Sequence, residues 1–273
     1  MNSFADKTFI ISGASRGIGK AIALKLAAEG ANIVIAAKTT EEDPRLGGTI
    51  YSAAKEVETA GGKALAVKTD IRFEEQIEAL VEKTMQRFGS IDGLIHNASA
   101  INLYSTENLP SKYYDLMFDI NVRGSFLLTQ KALPFLKEGA NPHILTLSPP
   151  LNFDRKWMAP HVAYTISKYN MTMLMMGWAE EFKSIGIAAN SLWPKTTIDT
   201  AAVRNLLGGE QLAAMSRKPE ILADAAKIIL SKPAKDCSGN CFIDEDVLQA
   251  EGITDLEKYS VVEGGKLYGD LFL

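Results

Sequence analysis

Tyr164 and Lys168 stand four residues apart in the stretch Ala163-Tyr164-Thr165-Ile166-Ser167-Lys168. If the stretch is helical, phenol and ammonium share one face, a turn apart. A phenol of unperturbed pKa about 10 exchanges protons poorly near neutrality, and a neighbouring cation favours its ionised form. The same spacing also serves a packed ring beside a lysine reaching for water. An acid/base device would need a polar partner, a cofactor and a cleft besides. Ser148 offers the partner, because it follows the apolar run 143–147 and so sits at the carboxyl end of a strand, where open α/β sheets hold ligands. Asn121 is a polar residue among apolar neighbours in Asp119-Ile120-Asn121-Val122-Arg123-Gly124. Gly124 costs about 1 kcal/mol in a helix interior, which predicts a kink or a close contact there.

The elements that position these residues follow one alternation of short apolar run, turn and amphipathic helix. Strand-like runs cover 8–12, 33–36, 64–68, 94–96, 143–147 and 187–192. Helix-like segments cover 17–29, 50–60, 74–88, 111–137 and 163–184. Apolar strands separated by helices predict parallel βαβ units, and so an α/β, Rossmann-type doubly wound parallel sheet in three layers. Nothing between them reads as a linker or repeat, so residues 1–273 are expected to form a single dinucleotide-binding domain.

The first turn reads Ser12-Gly13-Ala14-Ser15-Arg16-Gly17-Ile18-Gly19. Its glycines allow a tight turn and bring backbone N–H groups close to a pyrophosphate at the helix N-terminus. The spacing is GxxxGxG, and its place between a strand and an Ala/Leu-rich helix favours the nucleotide-binding function over a mere connection. An acid at the end of the second strand would accept from the 2′-hydroxyl of NAD. Here Lys38 occupies that place, the first acid is Glu41, and Arg16 lies inside the turn. Two cations attract a 2′-phosphate, so NADP(H) is expected over NAD(H), with Lys38 as a solvated loop residue the alternative. Loop 40–49 exceeds a usual βα connection and is placed on the adenosine side. Asp70, past the third strand, either accepts from the adenine amino group or caps the next helix. Asn97, after the fourth, either lies by the cofactor ribose or stabilises the sheet.

Assembled, these residues resemble the short-chain dehydrogenase/reductase family over nearly the whole length. Gly13, Gly17 and Gly19 match its glycine turn, His96-Asn97-Ala98-Ser99 its Asn-Asn-Ala-Gly segment, and Asn121, Ser148, Tyr164 and Lys168 its catalytic tetrad. A narrower likeness, to a subgroup whose members can carry a lipid-carrier-like domain, rests on 31–39, 147–152, 163–166 and 192–196. The departures are His96 for the usual Asn, Lys195 for a glycine after Pro194, two prolines after Ser148, and sixteen positions from Ser148 to Tyr164. The resemblance implies hydride transfer between a nicotinamide and a carbonyl or carbinol carbon. Tyr164 is then the proton donor, Ser148 a second hydrogen-bond donor, Lys168 the group that lowers the phenol pKa and holds the ribose, and Asn121 the anchor of a water. Ser15, Arg16, Ile18, Pro194 and Thr196 join the cofactor-contacting set.

Residues 198–218 are expected to form a substrate lid of two short helices about a hinge. Its apolar residues with Met215, facing Leu151, Phe153, Trp157 and Met158, suggest a hydrophobic, lipid- or steroid-like carbonyl or alcohol substrate, ordinary packing being the alternative. The 163–184 helix is apolar nearly all round through Met171, Met173, Leu174, Met175, Met176 and Trp178, as expected of a homodimer or homotetramer. The tail 245–273 is expected to cover a neighbouring subunit. Oxidation of a hydroxyacyl thioester, and a non-catalytic NADP(H)-sensing or scaffold function, are the alternatives.

Composition narrows the classes further. Hydrophobic residues at 47%, charged residues at 23% and a net charge of −4 describe an ordinary globular chain without a nucleic-acid or anionic-membrane surface. No apolar run is long enough to span a bilayer. The start of the chain lacks a signal-peptide pattern and the end lacks a peroxisomal address, so the cytoplasm is the expected compartment. Cys237 and Cys241 lack the companions of a zinc site, and His96, His143 and His161 lie far apart, so no metal is expected.

Overall fold

The computed structural model describes residues 4–43 and 45–273; the first three residues and Pro44 of the long loop lie outside it. Among the described residues, strands β1 (Thr8–Ser12), β2 (Asn32–Ala37), β3 (Lys63–Lys68), β4 (Gly93–His96), β5 (His143–Thr146), β6 (Ala188–Trp193) and β7 (Cys241–Ile243) form one sheet. Its order is β3-β2-β1-β4-β5-β6-β7 and every pairing is parallel. The chain winds outward from β1 in one direction and then from β4 in the other. The carboxyl ends of β1 and β4 therefore border a crevice, the place where such sheets bind ligands.

Helices α1 (Gly17–Ala27), α2 (Ile50–Thr59), α3 (Glu74–Phe88), α4 (Ser111–Met117), α5 (Ser125–Leu136), α6 (Arg155–Met158), α7 (Val162–Glu181), α8 (Gly209–Ala214), α9 (Glu220–Ser231) and α10 (Asp244–Ala250) complete the fold. β1 shows how the layers arise. Ile11 belongs to an apolar cluster shared with α1, α2, α9 and α10, while its neighbour Ile10 belongs to a second one, shared with α3, α5 and α7, on the opposite face. Alternate side chains of a strand point to opposite faces, so a strand apolar throughout must be covered twice. The three-layer, doubly wound architecture is the one expected.

Three details differ from the expectation. β7 was not anticipated; at three residues of mixed character it carries no periodic signal. The long 111–137 helix is interrupted by a π-helical segment, Phe118–Gly124, between α4 and α5. Such a widened turn shifts the helix register at one place and is found at functional sites. Gly124 closes it for a steric reason: a Cβ there would lie 2.8 Å from the carbonyl oxygen of Ile71. Finally, the tail begins as α10 and folds back onto its own subunit, with Gly269 bridging Thr196 and Phe272 fully buried.

Candidate active site

The glycine turn and the end of β4 are laced together. Ser12 Oγ accepts from the backbone N–H groups of Asn97 and Ala98, each at 3.1 Å, while Asn97 Nδ2 donates to the carbonyls of Ser12 and Gly13, each at 3.0 Å. Asn97 thus braces the turn. Gly13, at φ +70°, is required twice over, because a Cβ would also lie 2.9 Å from Asn97 Nδ2. A Cβ on Gly19 would collide with the same amide. Behind the turn, α1 starts at Arg16 with no side-chain cap and no acid in its first turn. Its first N–H groups and the positive end of its dipole are therefore unspent, which suits a pyrophosphate.

Arg16 reaches from this turn to the end of β2, where Nη2 donates to Thr39 Oγ1 at 2.7 Å. Its Nε is buried without a partner, and burial is the main force lowering its pKa. This unpaired guanidinium donor at the end of β2 suits an anion such as a phosphate. Lys38 is exposed and close enough to favour the charged form of Asp70. Asp70 is not the cap of α3, whose N-cap is Phe73. Its carboxylate is gripped by the Arg72 guanidinium at 2.6 and 2.9 Å, which holds its pKa below the usual range. On the far side of the crevice Thr196 is buried with an unpaired Oγ1, Pro194 is buried and Lys195 is exposed. Segment 198–218, expected as a lid, reaches the 40–49 loop, with Asn205 Nδ2 donating to the Arg45 carbonyl at 2.8 Å. It contains a π-turn, Val203–Leu207, and α8, with Gly208 between them.

The tetrad residues converge from three elements. α7 presents Tyr164 and Lys168 on one face, and Lys168 Nζ donates to the Leu147 carbonyl at 2.6 Å, beside Ser148. The same ammonium lies 5.0 Å from the centre of the Trp193 ring. Asn121, fully buried in the π-segment, accepts from Ala100 N at 2.8 Å and donates to Ala100 O and Ser167 Oγ, each at 3.0 Å. Both amide protons are spent on protein, and the side chain ties the β4 loop to α7.

Burial, more than the neighbouring ammonium, governs the phenol in this arrangement. Burial pushes Tyr164 above its ordinary value, and the Asp270 carboxylate pushes the same way. Burial also brings Lys168 down to about 7, against the pull of Asp270. Asp270 itself is raised to about 6, by burial first, although part of its surface still meets solvent.

The roof over this site is aromatic and was not anticipated. Phe272 lies with its ring centre 6.2 Å from Tyr164, 5.9 Å from Trp193 and 5.3 Å from Tyr169. Met117, Leu103, Leu109, Leu151, Trp157 and Met158 complete the cluster. Trp193 Nε1 donates to Leu271 O at 3.0 Å and Asn152 Nδ2 to Phe272 O at 3.0 Å, which pins the tail. Tyr164 retains 5% of its surface and Ser148 none. Phe153, expected among the substrate-facing residues, is 73% exposed. No helix among the described residues is long and apolar enough to cross a membrane, and none of their His, Cys, Asp and Glu side chains group to hold a metal.

His96 points into the core, with Nε2 2.9 Å from Thr129 Oγ1 and its ring against Trp178. Burial lowers its pKa to about 3. The unfolded chain, with a pKa of about 6.5, therefore binds the extra proton between these values, and stability contributed by neutral His96 is lost as pH falls. Relative to His96→Asn, the wild type is expected to lose about 2 kcal/mol between pH 7 and pH 5, measured by urea unfolding. Taking the difference cancels the opposite titration of Asp244 and Asp270; parallel pH profiles would contradict it.

A glycine turn on β1, a Tyr/Lys helix and a serine at the end of β5 on a doubly wound sheet define a class, and the short chain dehydrogenase model matches residues 7–210. The chain belongs to the short-chain dehydrogenase family. Among individual proteins, it is 55% identical over 269 residues to hydroxysteroid dehydrogenase-like protein 2 of Xenopus tropicalis and 53% identical to that of Rattus norvegicus. These alignments cover 98% of this chain but 64% and 51% of the relatives, so the chain spans about half to two thirds of their length. A solved short chain dehydrogenase from Mycobacterium thermoresistibile is 51% identical, with a TM-score of 0.93 over 98% of this chain and 95% of that one. A structure from Xanthomonas campestris is 48% identical, with a TM-score of 0.96 over 99% and 98%. The same fold recurs at 23% identity in a metagenomic oxidoreductase with NADP and at 19% in a Mycobacterium avium carveol dehydrogenase with NAD. Fold alone therefore does not choose the cofactor.

Proposed function

We propose that this chain is an NADP(H)-dependent oxidoreductase acting on a carbonyl or hydroxyl group of an apolar, lipid- or steroid-like substrate. The observation that carries this is the meeting of Tyr164 and Lys168 on α7 with Ser148 at the end of β5, under an apolar aromatic roof. The nicotinamide, when bound, supplies or accepts the hydride. In the reductive direction Tyr164 gives its hydroxyl proton to the substrate oxygen as negative charge gathers there, and Ser148 donates a second hydrogen bond to the same atom. Lys168 holds the ribose and, with a pKa near neutrality, replenishes the phenol proton. Asn121 keeps α7 and the β4 loop in register. The uncapped start of α1, with Gly13, Ser15, Gly17, Ile18 and Gly19, takes the pyrophosphate; Asn97 braces that turn. Arg16 and Lys38 take the 2′-phosphate, Asp70 lies toward adenine, and Pro194 and Thr196 face the nicotinamide side.

Two measurements test this. NADPH and NADH titrations come first, with NADPH the tighter ligand. Arg16→Ala with Lys38→Ala is expected to weaken NADPH about 10²- to 10⁴-fold and NADH no more than about threefold, since each of the two charge-assisted bonds lost is worth about 1.5–3 kcal/mol. Equal or tighter NADH binding by the wild type would sink the cofactor assignment. Second, a panel of a 3-ketosteroid, a long-chain 2-alkanone, an aromatic diketone and an acetoacetyl thioester, followed at the NADPH absorbance, separates ketone from thioester substrates. The closed roof over Tyr164 favours the non-catalytic alternative, and turnover of any panel member removes it.

On α7, Ile166, Met173 and Met176 are 42%, 58% and 48% exposed, and on α5 Phe126 is 44% exposed. Such apolar side chains support a homodimer or homotetramer. Free Cys237 and Cys241 support a reducing compartment such as the cytoplasm.

A further inference from the structure

The helix that bears Tyr164 and Lys168 carries a third polar side chain in the same row. Thr172 follows Lys168 by four residues, one further turn along α7, and is fully buried. Its Oγ1 lies 2.9 Å from Ser148 Oγ and 2.6 Å from the Pro149 carbonyl. Lys168 binds the carbonyl just before Ser148 and Thr172 the carbonyl just after it. Ser148 is therefore straddled by two α7 side chains, with no exposed surface of its own. Pro150 favours an extended backbone at Pro149, which fixes where that carbonyl points. The two prolines after Ser148 thus acquire a purpose.

A threonine hydroxyl has one proton and can serve these two acceptors only in turn. With the proton on the Pro149 carbonyl, Ser148 can satisfy its own proton by donating to Thr172 Oγ1, and it then has none to offer a substrate. With the Thr172 proton turned to Ser148 Oγ, the Ser148 proton is free to point at a substrate oxygen. Hydrogen bonds in a chain polarise one another, so a donation from Thr172 also strengthens the one Ser148 makes. No bond breaks and no proton changes owner; one hydroxyl rotates about its Cβ–Oγ bond.

We propose that Thr172 is a positioning residue for the reaction, holding Ser148 in place and setting the direction of its proton through the choice between Ser148 Oγ and the Pro149 carbonyl. The assignment rests on the oxidoreductase function proposed for this site. Thr172→Val keeps the shape and removes the hydroxyl. With the panel carbonyl that the wild type reduces fastest, it lowers kcat about 10- to 100-fold, a fraction of the loss seen when an oxyanion donor is removed outright. KM and NADPH affinity stay within about twofold, and Thr172→Ser recovers most of kcat. In a Ser148→Ala background, Thr172→Val has no further effect on kcat, because the two act as one unit. A purely structural role would instead lower thermal stability and NADPH affinity together and add to Ser148→Ala. Unchanged kcat in a folded Thr172→Val chain, or an additive double variant, overturns the proposal. If Thr172→Val does not fold, Thr172→Ser and Thr172→Cys carry the test: kcat that fails to follow hydroxyl content overturns it. A wild type inert toward the whole panel removes the oxidoreductase function itself, and Thr172's role with it.

Discussion

Tyr164→Phe lowers turnover about 10³-fold or more, with NADPH affinity within about twofold of wild type. The substitution deletes one oxygen and leaves the ring, which packs against Phe272 and the rest of the aromatic cluster. Stability should therefore hold, because the Tyr164 hydroxyl takes no hydrogen bond among the described residues that its loss would break. Ser148 can still polarise the substrate oxygen but cannot leave a proton on it without becoming an alkoxide, so the loss is set by proton delivery. A general acid contributes about 10²- to 10⁴-fold, which sets the scale. The sign of the pKa shift matters as well. Burial and Asp270 hold the phenol protonated through the neutral range, which suits an acid in the reductive direction. Comparable turnover by wild type and Tyr164→Phe, across the carbonyl panel, would remove Tyr164 from the chemistry.

Phe272→Ala costs about 3–5 kcal/mol of stability, the usual loss for a fully buried phenylalanine. The ring touches Trp157, His161, Tyr164, Tyr169 and Trp193, and no surface of Phe272 is exposed. Its backbone sits in the left-handed region at φ 77°, a conformation a phenylalanine keeps only where packing outweighs the strain. Urea unfolding measures the loss, and Leu273→Ala, at a side chain 39% exposed, is the control. A change under about 1 kcal/mol for Phe272→Ala would mean that the tail does not pack on Tyr164. Since Phe272 fills space directly over Tyr164, the same variant also reports how the substrate side is closed.

Most of the sheet was legible because its strands are short apolar runs separated by amphipathic helices, a pattern carried by neighbouring residues. β1 and α3 fall where the sequence places them, and the other anticipated ends shift by a few residues. The placement of Tyr164, Lys168 and Ser148 was legible for a related reason: each stands at a fixed place relative to a strand end or a helical turn. The π-segment around Asn121 was not, because apolar periodicity does not report a single widened turn, although Gly124 marked its position. Nor was the roof. Phe272 and Asp270 reach Tyr164 and Lys168 from the far end of the chain, and no local pattern encodes a contact of that range. Trp193 lies within the 192–196 stretch that carries the narrower likeness, but its cation–π contact with Lys168 needs β6 and α7 side by side. Thr172 was legible in principle, as a polar residue in step with Tyr164 and Lys168 on an otherwise apolar helix.

Isotope transfer tests the central claim most directly. NADPH carrying deuterium at C4, prepared separately in each of the two stereochemical forms, is incubated with the chain and the ketones of the panel, and the alcohol formed is weighed by mass spectrometry. One form should deliver one deuterium to the carbinol carbon of each alcohol molecule, the other none, and Tyr164→Phe should yield almost no alcohol from either. Alcohol formed without label from both forms, or no alcohol from any ketone or thioester, would contradict hydride transfer at this site.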